Sequence, residues 1–260
     1  MSVIVILLES RSDNYIFMIQ EEGQENCYAV DPGEASVVRE FCQKNSLKLS
    51  GILVTHHHYD HVEGIVELVN EFNCPVFASA EDHKRIPGID KPVGEGDKFV
   101  LGKTAVEVMD VSGHTIGHIA YYLPEEKIVF SGDTLFSAGC GRMFEGTAKQ
   151  MWGSLLKIRS LPPETLVYCT HEYTQNNLLF ALSIDPLNSD LKNYAEKVKS
   201  ARSQGQFTVP LNLGEEMKFN PFLRCDEESF CKELEGSFSG VREMGPWEVF
   251  AVLRGAKDTF

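Results

Sequence analysis

Four short apolar runs, each ending on residues able to bind a metal ion, constrain this chain more than any other feature. The first is Gly51-Ile52-Leu53-Val54, followed directly by Thr55-His56-His57-His58-Tyr59-Asp60-His61, a stretch holding half of the eight histidines. The others are Val106–Val111 before Ser112-Gly113-His114-Thr115, Lys127–Phe130 before Ser131-Gly132-Asp133-Thr134, and Leu166–Cys169 before Thr170-His171-Glu172. Apolar, β-branched-rich runs of this length read as strands. Open α/β sheets collect their functional groups on loops at strand ends, held by a rigid scaffold. One Gly-His or Gly-Asp after a strand is an ordinary turn signal. Four such endings in one chain point to strands whose ends meet at a site.

Neutral imidazole and carboxylate suit borderline divalent ions such as zinc, iron or manganese. Alternate residues of an extended segment point the same way, so His56 and His58 can converge on one ion. Asp60 and His61 lie past a bend and can face a second ion. By the same alternation His57 points away, as a supporting or packing residue. His118, opening a strand four residues after His114, reads as structural, and His83 in the polar loop Glu81–Arg85 as solvated. Asp31-Pro32-Gly33 reads as a strand-ending turn that supports the metal loops without a catalytic role. Cys140, beside glycines and seven residues after Asp133, reads as a loop thiol.

With these residues in view, the chain resembles the metallo-β-lactamase fold superfamily, whose signature is His-x-His-x-Asp-His followed by a distant His, Asp and His. The resemblance implies one metal held by His56, His58 and His114, a second by Asp60, His61 and His171, and Asp133 bridging the two. Within the superfamily the chain is similar, over nearly its whole length, to the glyoxalase II (hydroxyacylglutathione hydrolase) family. The residues carrying that similarity are Gly132–Phe136 running into Gly139–Thr147, then Thr170–Thr174, Asn220–Arg224 and Leu253–Asp258. The family pattern implies that Arg142, Phe144, Tyr173, Arg254 and Lys257 bind glutathione. Some members carry Tyr where this chain has Phe144, so a hydrogen bond from that hydroxyl is missing here.

The implied activity is hydrolysis of S-D-lactoylglutathione, or a close 2-hydroxyacyl analogue, to glutathione and the 2-hydroxy acid. Two ions, zinc by expectation and iron or manganese by compatibility, would share a water whose pKa is lowered toward about 7, with the resulting hydroxide as nucleophile. Asp60 and Asp133 are the carboxylates placed at that chemistry. A thiolate leaving group departs without a strong general acid. The alternative reading is a persulfide dioxygenase of the same superfamily, against which the helical extension and Arg254 and Lys257 count. The classical two-zinc β-lactamases carry Cys where Asp133 stands, and a non-enzymatic scaffold would not need all seven ligand positions filled.

The chain has 260 residues and 43% hydrophobic content, enough for a substantial core. Its net charge of −14 excludes a broad basic nucleic-acid surface. Seven cysteines, odd in number and without a Cys-x-x-Cys pair, fit reduced thiols and a cytoplasmic location. The N-terminus reads as a strand without a signal peptide, no apolar run reaches membrane-spanning length, and a monomer is expected.

Strands are predicted at 2–8, 15–19, 27–30, 75–79, 98–111, 118–123, 127–130 and 166–169, and helices at 35–45, 62–72 and 149–160. Beyond His171 only helices are predicted, at 174–182, 191–203, 227–234 and 246–254. The fold class is therefore α+β, and the resemblance implies an αβ/βα sandwich of two mixed sheets with a small C-terminal helical domain. The expected division is 1–172, catalytic, and 173–260, helical and substrate-binding.

Overall fold

In the computed structural model, which describes residues 2–260, the chain opens with a hairpin of β1 (Val3–Ser10) and β2 (Asn14–Glu21), with Leu7 opposite Phe17. β3 (Asn26–Val30), β4 (Lys48–Leu53), β5 (Val76–Ser79) and β6 (Lys91–Val93) complete a six-stranded sheet in sequential order. β1 to β3 pair antiparallel and β3 to β6 parallel, so this sheet is mixed. Parallel neighbours need crossovers. These are α1 (Ala35–Asn45) between β3 and β4, then α2 (Tyr59–Val62) and α3 (Ile65–Phe72) between β4 and β5.

Period-two alternation sorts the side chains of this sheet. Ile16, Met18, Ile52, Val54 and Val76 pack with Val38 and Cys42 of α1 and with Ile65 and Leu68 of α3. Phe17 and Phe77 point the other way, toward a second sheet containing β7 (Lys98–Leu101), β8 (Thr104–Asp110), β9 (Ile119–Leu123) and β10 (Ile128–Gly132), paired antiparallel in that order. Phe17 lies 5.7 Å from Phe130, and Phe77 stacks on Phe99 at 4.5 Å. The Tyr121 hydroxyl crosses the same layer to the carbonyl oxygens of Val54 (3.0 Å) and Phe77 (2.9 Å).

The chain divides into two compact units. The elements above belong to the first, made of Met1–Asp110, Thr115–Gly132 and Tyr168–His171. The second comprises Val111–His114, Asp133–Val167 and Glu172–Phe260. It contains the short hairpin β11 (Leu135–Phe136) and β12 (Gly139–Cys140), then α4 (Ala148–Arg159). Thr147 and Gln150 form a reciprocal capping box at the start of α4. Leu166 and Val167, the first residues of β13 (Leu166–Cys169), pair in this unit with the two-residue β14 (Leu211–Asn212).

The remaining elements are α5 (Thr174–Ile184), α6 (Ser189–Ser203), α7 (Leu213–Phe219), α8 (Glu228–Leu234) and α9 (Pro246–Asp258). Leu178 and Ala181 of α5, Leu191 and Val198 of α6 and Phe219 of α7 form a core with Ala138. The architecture is the expected α+β sandwich with a helical C-terminal part. Among the described residues, no helix is long and apolar enough to cross a membrane.

Three predicted elements differ. The run 98–111 is two strands, because a turn at Gly102-Lys103 folds β8 back on β7. The predicted helix 62–72 is interrupted at Glu63-Gly64: the Gly64 N–H donates to the Pro32 carbonyl at 3.1 Å and leaves the helical ladder. A Cβ on Gly64 would lie 2.4 Å from that carbonyl oxygen, so only glycine allows the approach. Beyond His171 the chain is not wholly helical, since β14 pairs there with β13.

Candidate metal centre

In the first unit, β3 is followed by Asp31, held at φ 52° in the left-handed region that side-chain-bearing residues seldom occupy. The constraint has a visible purpose. Asp31 Oδ1 accepts the Thr55 N–H and Oδ2 accepts the Thr55 hydroxyl, both at 2.7 Å, fixing the backbone where β4 gives way to the histidine run. The same Oδ2 lies 3.2 Å from His61 Nδ1. One carboxylate thus aligns both ends of the run.

His56 is fully buried. Its Nδ1 lies 3.1 Å from the Thr55 hydroxyl, its ring stacks on His118 at 4.6 Å, and its Nε2 reaches His58 Nδ1 at 3.0 Å. His57 turns elsewhere, with Nδ1 3.4 Å from the buried Asp82 and Nε2 3.3 Å from an Arg85 guanidinium nitrogen.

The single turn of α2 brings Asp60 and His61 around the bend. A Cβ on Gly33 would sit 1.8 Å from the Asp60 carbonyl oxygen, so the β3–α1 loop presses on this turn as only glycine permits. Asp60 Oδ2 lies 3.5 Å from His61 Nε2 and 3.6 Å from His171 Nε2. Ligand atoms of Asp60, His61 and His171 all fall within 4.8 Å of one another.

The β1–β2 turn braces this trio. Asn14 Nδ2 donates to Asp60 Oδ2 at 2.8 Å, and Asp13 Oδ1 lies 2.9 Å from His171 Nδ1. Thr170 O accepts the Tyr15 N–H at 2.7 Å, stitching the end of β13 to the start of β2.

In the second unit, His114 and Asp133 come together, with Nε2 and Oδ2 3.4 Å apart and both residues buried. His114 Nδ1 lies 2.6 Å from the Arg142 carbonyl, which orients the ring with Nε2 toward Asp133. The Phe144 N–H donates to the His114 carbonyl at 3.1 Å, so the Arg142–Phe144 loop and His114 hold each other. The donor chemistry fits divalent cations. Imidazole and carboxylate atoms lie 3.0–3.6 Å apart, and His56, Asp60, His61, His114 and His171 each have a further polar neighbour behind them, an arrangement that suits such an ion.

The five residues expected at the substrate all lie in the second unit. Arg142 is well exposed, lies 3.4 Å from Asp258, and has its guanidinium 5.9 Å from the ring of Phe144, which is itself 61% exposed. Arg254 is buried: it donates to the Cys140 carbonyl at 2.8 Å and pairs with Asp258 at 3.2 Å. Lys257 donates to the Asn176 carbonyl at 3.2 Å, and burial holds its ammonium below the usual lysine range. Tyr173 caps the start of α5, its ring 5.3 Å from Phe136.

Cys140, expected in a loop, is instead the second residue of β12, and burial pushes its thiol up to about 11. Asp13, Asn14 and Asp82 were invisible to sequence reasoning as parts of the site. Asp13 and Asn14 read as turn formers, and their partners are 158 and 46 residues away.

The chain matches the model of the metallo-beta-lactamase superfamily over residues 13–171 and that of the hydroxyacylglutathione hydrolase C-terminus over 172–260. It is 46% identical over 249 residues to a hydroxyacylglutathione hydrolase of Rhodospirillum rubrum, covering 96% of this chain and 95% of that protein. It is 45% identical over 251 residues to a hydroxyacylglutathione hydrolase of Idiomarina loihiensis, covering 96% and 97%. Among solved structures, TTHA1623 in a di-iron-bound form superposes with a TM-score of 0.61 at 26% identity, covering 85% of this chain and 100% of that one.

Proposed function

Because the chain belongs to the hydroxyacylglutathione hydrolase family of the metallo-β-lactamase superfamily, we propose that it hydrolyses S-D-lactoylglutathione, or a close 2-hydroxyacylglutathione, to glutathione and the 2-hydroxy acid. The observation carrying this reading is the pairing of a buried His/Asp donor cluster with a separate set of cations and aromatics around α9 and β12. The first suits thioester chemistry and the second an anionic peptide. The persulfide dioxygenase alternative is disfavoured by the match of residues 172–260 to the hydrolase-specific C-terminal model.

His56, His58 and His114 would hold one divalent ion and Asp60, His61 and His171 another, with Asp133 shared. Bound there, the ions would supply Lewis acidity at the thioester carbonyl and a water acidic enough to attack near neutral pH. Zinc is the proposed metal.

The chain's own contribution is orientation. Asp31 Oδ2, 3.2 Å from His61 Nδ1, and Asp13 Oδ1, 2.9 Å from His171 Nδ1, face the outward nitrogens of the two rings and would keep the inward nitrogens turned toward the metal. Asn14 occupies a lone pair of Asp60 and fixes its rotation. Arg142 and Lys257 would meet the glutathione carboxylates, Phe144 and Tyr173 would pack on the peptide, and Arg254 would hold β12 in register beside them. The thiolate leaves unassisted, being the conjugate base of a thiol with a pKa of about 8.5. No side chain needs to act as a nucleophile.

We further assign the reaction to residues 1–172 and most of the peptide binding to 173–260, in a cytoplasmic monomer. The deciding measurement is turnover of S-D-lactoylglutathione by metal-loaded protein, alongside oxygen uptake with glutathione persulfide. Oxygen consumption without thioester cleavage would replace this reading with the dioxygenase.

A further inference from the structure

Side chains from three helices and one connecting loop converge on the turn Phe136–Gly139 that joins β11 to β12. Glu216 of α7 is 1% exposed. Its Oε1 accepts the Ser137 hydroxyl at 2.7 Å; its Oε2 accepts the Ala138 N–H at 2.8 Å and the Asn220 amide at 2.9 Å. Asn220 Nδ2 also lies 3.0 Å from the Phe136 carbonyl and 3.1 Å from that of Gly139. Asn177 of α5 donates to the Ser137 carbonyl at 3.1 Å, and the Tyr194 hydroxyl of α6 lies 2.8 Å from Ser137 Oγ. Ala138 is held at φ 50°, a conformation a residue with a side chain keeps only where its surroundings impose it.

A carboxylate is an expensive device for gluing a core together. Burial pushes Glu216 up to about 7 despite its three donors. A buried carboxylate has to find donors for both of its oxygens. The turn it fixes is the head of the segment leading to the proposed substrate contacts. Past it, the backbone is pinned at each step: the Cys140 carbonyl by Arg254 (2.8 Å), the Gly141 N–H by Thr134 (3.2 Å) and the Phe144 N–H by His114 (3.1 Å). Arg142 and Phe144 follow Gly139 by three and five residues on this stretch.

We propose that Glu216, with Asn220, is a positioning residue for substrate recognition, setting the β11–β12 turn so that Arg142 and Phe144 are presented to the glutathione part of the thioester. This rests on the assignment of Arg142 and Phe144 to peptide binding made above. Contacts to the peptide, remote from the reacting carbonyl, persist from ground state to transition state, so their misplacement registers in KM and not in kcat.

The test uses the metal-loaded protein with Glu216→Gln and, separately, Ser137→Ala, on S-D-lactoylglutathione and on the lactoyl thioester of N-acetylcysteamine, which lacks the peptide. Glu216→Gln should raise KM for lactoylglutathione roughly 5- to 20-fold, with kcat within about twofold, metal content unchanged and the small thioester unaffected. Ser137→Ala removes one bond from the same carboxylate and should move KM in the same direction by less. Equal losses on both substrates, loss of metal, or an unmoved KM would each overturn the role of Glu216. Should the Gln variant fail to fold, an unchanged KM in Ser137→Ala overturns it alone. A parent that turns over the small thioester but not lactoylglutathione refutes the functional reading itself, a failure visible before any variant is made.

Discussion

Asp60 and His171 each depend on a partner that nothing nearby in sequence announces. Asn14 and Asp13, adjacent in the β1–β2 turn, hydrogen-bond one to each. Outer partners of metal ligands typically contribute 10- to 100-fold to metal affinity. Asp13→Ala should therefore raise the rate at which a chelator strips one metal equivalent by about that factor and leave the other equivalent nearly as tight; equal retention of both would sink the idea. Asp133→Ala should abolish most turnover and weaken retention of both metals. His57→Ala should keep two equivalents, because His57 faces Asp82 and Arg85 and not the ligand cluster. Elemental analysis of the two variants separates the roles, and loss of a metal from the His57 variant would reassign that residue. At this scale the sequence made the ligand candidates legible, since alternation along an extended strand is a local rule. It left their supports hidden, because no local rule links Asp13 to a histidine 158 residues on.

Among the elements, α9 shows how periodicity succeeds and where it stops. Arg254 and Lys257, three apart, share a helix face as the spacing predicts, but the helix runs on to Asp258, whose carboxylate then pairs with Arg254 and Arg142. A periodic pattern does not reveal that Arg254 points inward to the Cys140 carbonyl. That difference sharpens the expectation for mutants. Lys257→Ala should raise KM for the glutathione thioester several-fold with little change in kcat, as expected for loss of a partly desolvated ion contact of about 1 kcal/mol. Arg254→Ala should cost more, because it also frees β12. Steady-state kinetics on glutathione and peptide-free thioesters tests both; equal losses on the two substrates would mean that Lys257 does not touch the peptide. The interrupted helix at Gly64 and the folded-back strand at Gly102-Lys103 share one cause. Each is fixed by a contact made in three dimensions, to the Pro32 carbonyl in one case and between β7 and β8 in the other, while the local hydrophobic pattern runs straight through.

For the molecule as a whole, texture along the chain and contact in space divide it differently. The change from strands to helices falls near residue 172, whereas the contact-based second unit also takes in Val111–His114 and Asp133–Val167, which no reading of local pattern could transfer. Glu216 belongs to that second unit and is the clearest whole-molecule handle on stability. Its carboxyl is raised from 4.5 to about 7, chiefly by burial. Between those values the folded state holds a proton that the unfolded state has released, so stability falls as pH rises through the window, by up to about 3 kcal/mol for this group. Glu34 and Asp226, held below their usual range by hydrogen bonds from Ser10 and Arg159, act in the opposite sense: they stabilise at neutral pH and lose that contribution in acid. The parent profile mixes these effects with ligand protonation. Comparison with Glu216→Gln removes the shared terms. The stability of the Gln variant relative to the parent should rise between about pH 5 and pH 7 and level off above, measured by urea unfolding of metal-free protein at each pH. Parallel curves across that range would mean that the folded protein carries Glu216 ionised throughout, with its three donors outweighing its burial.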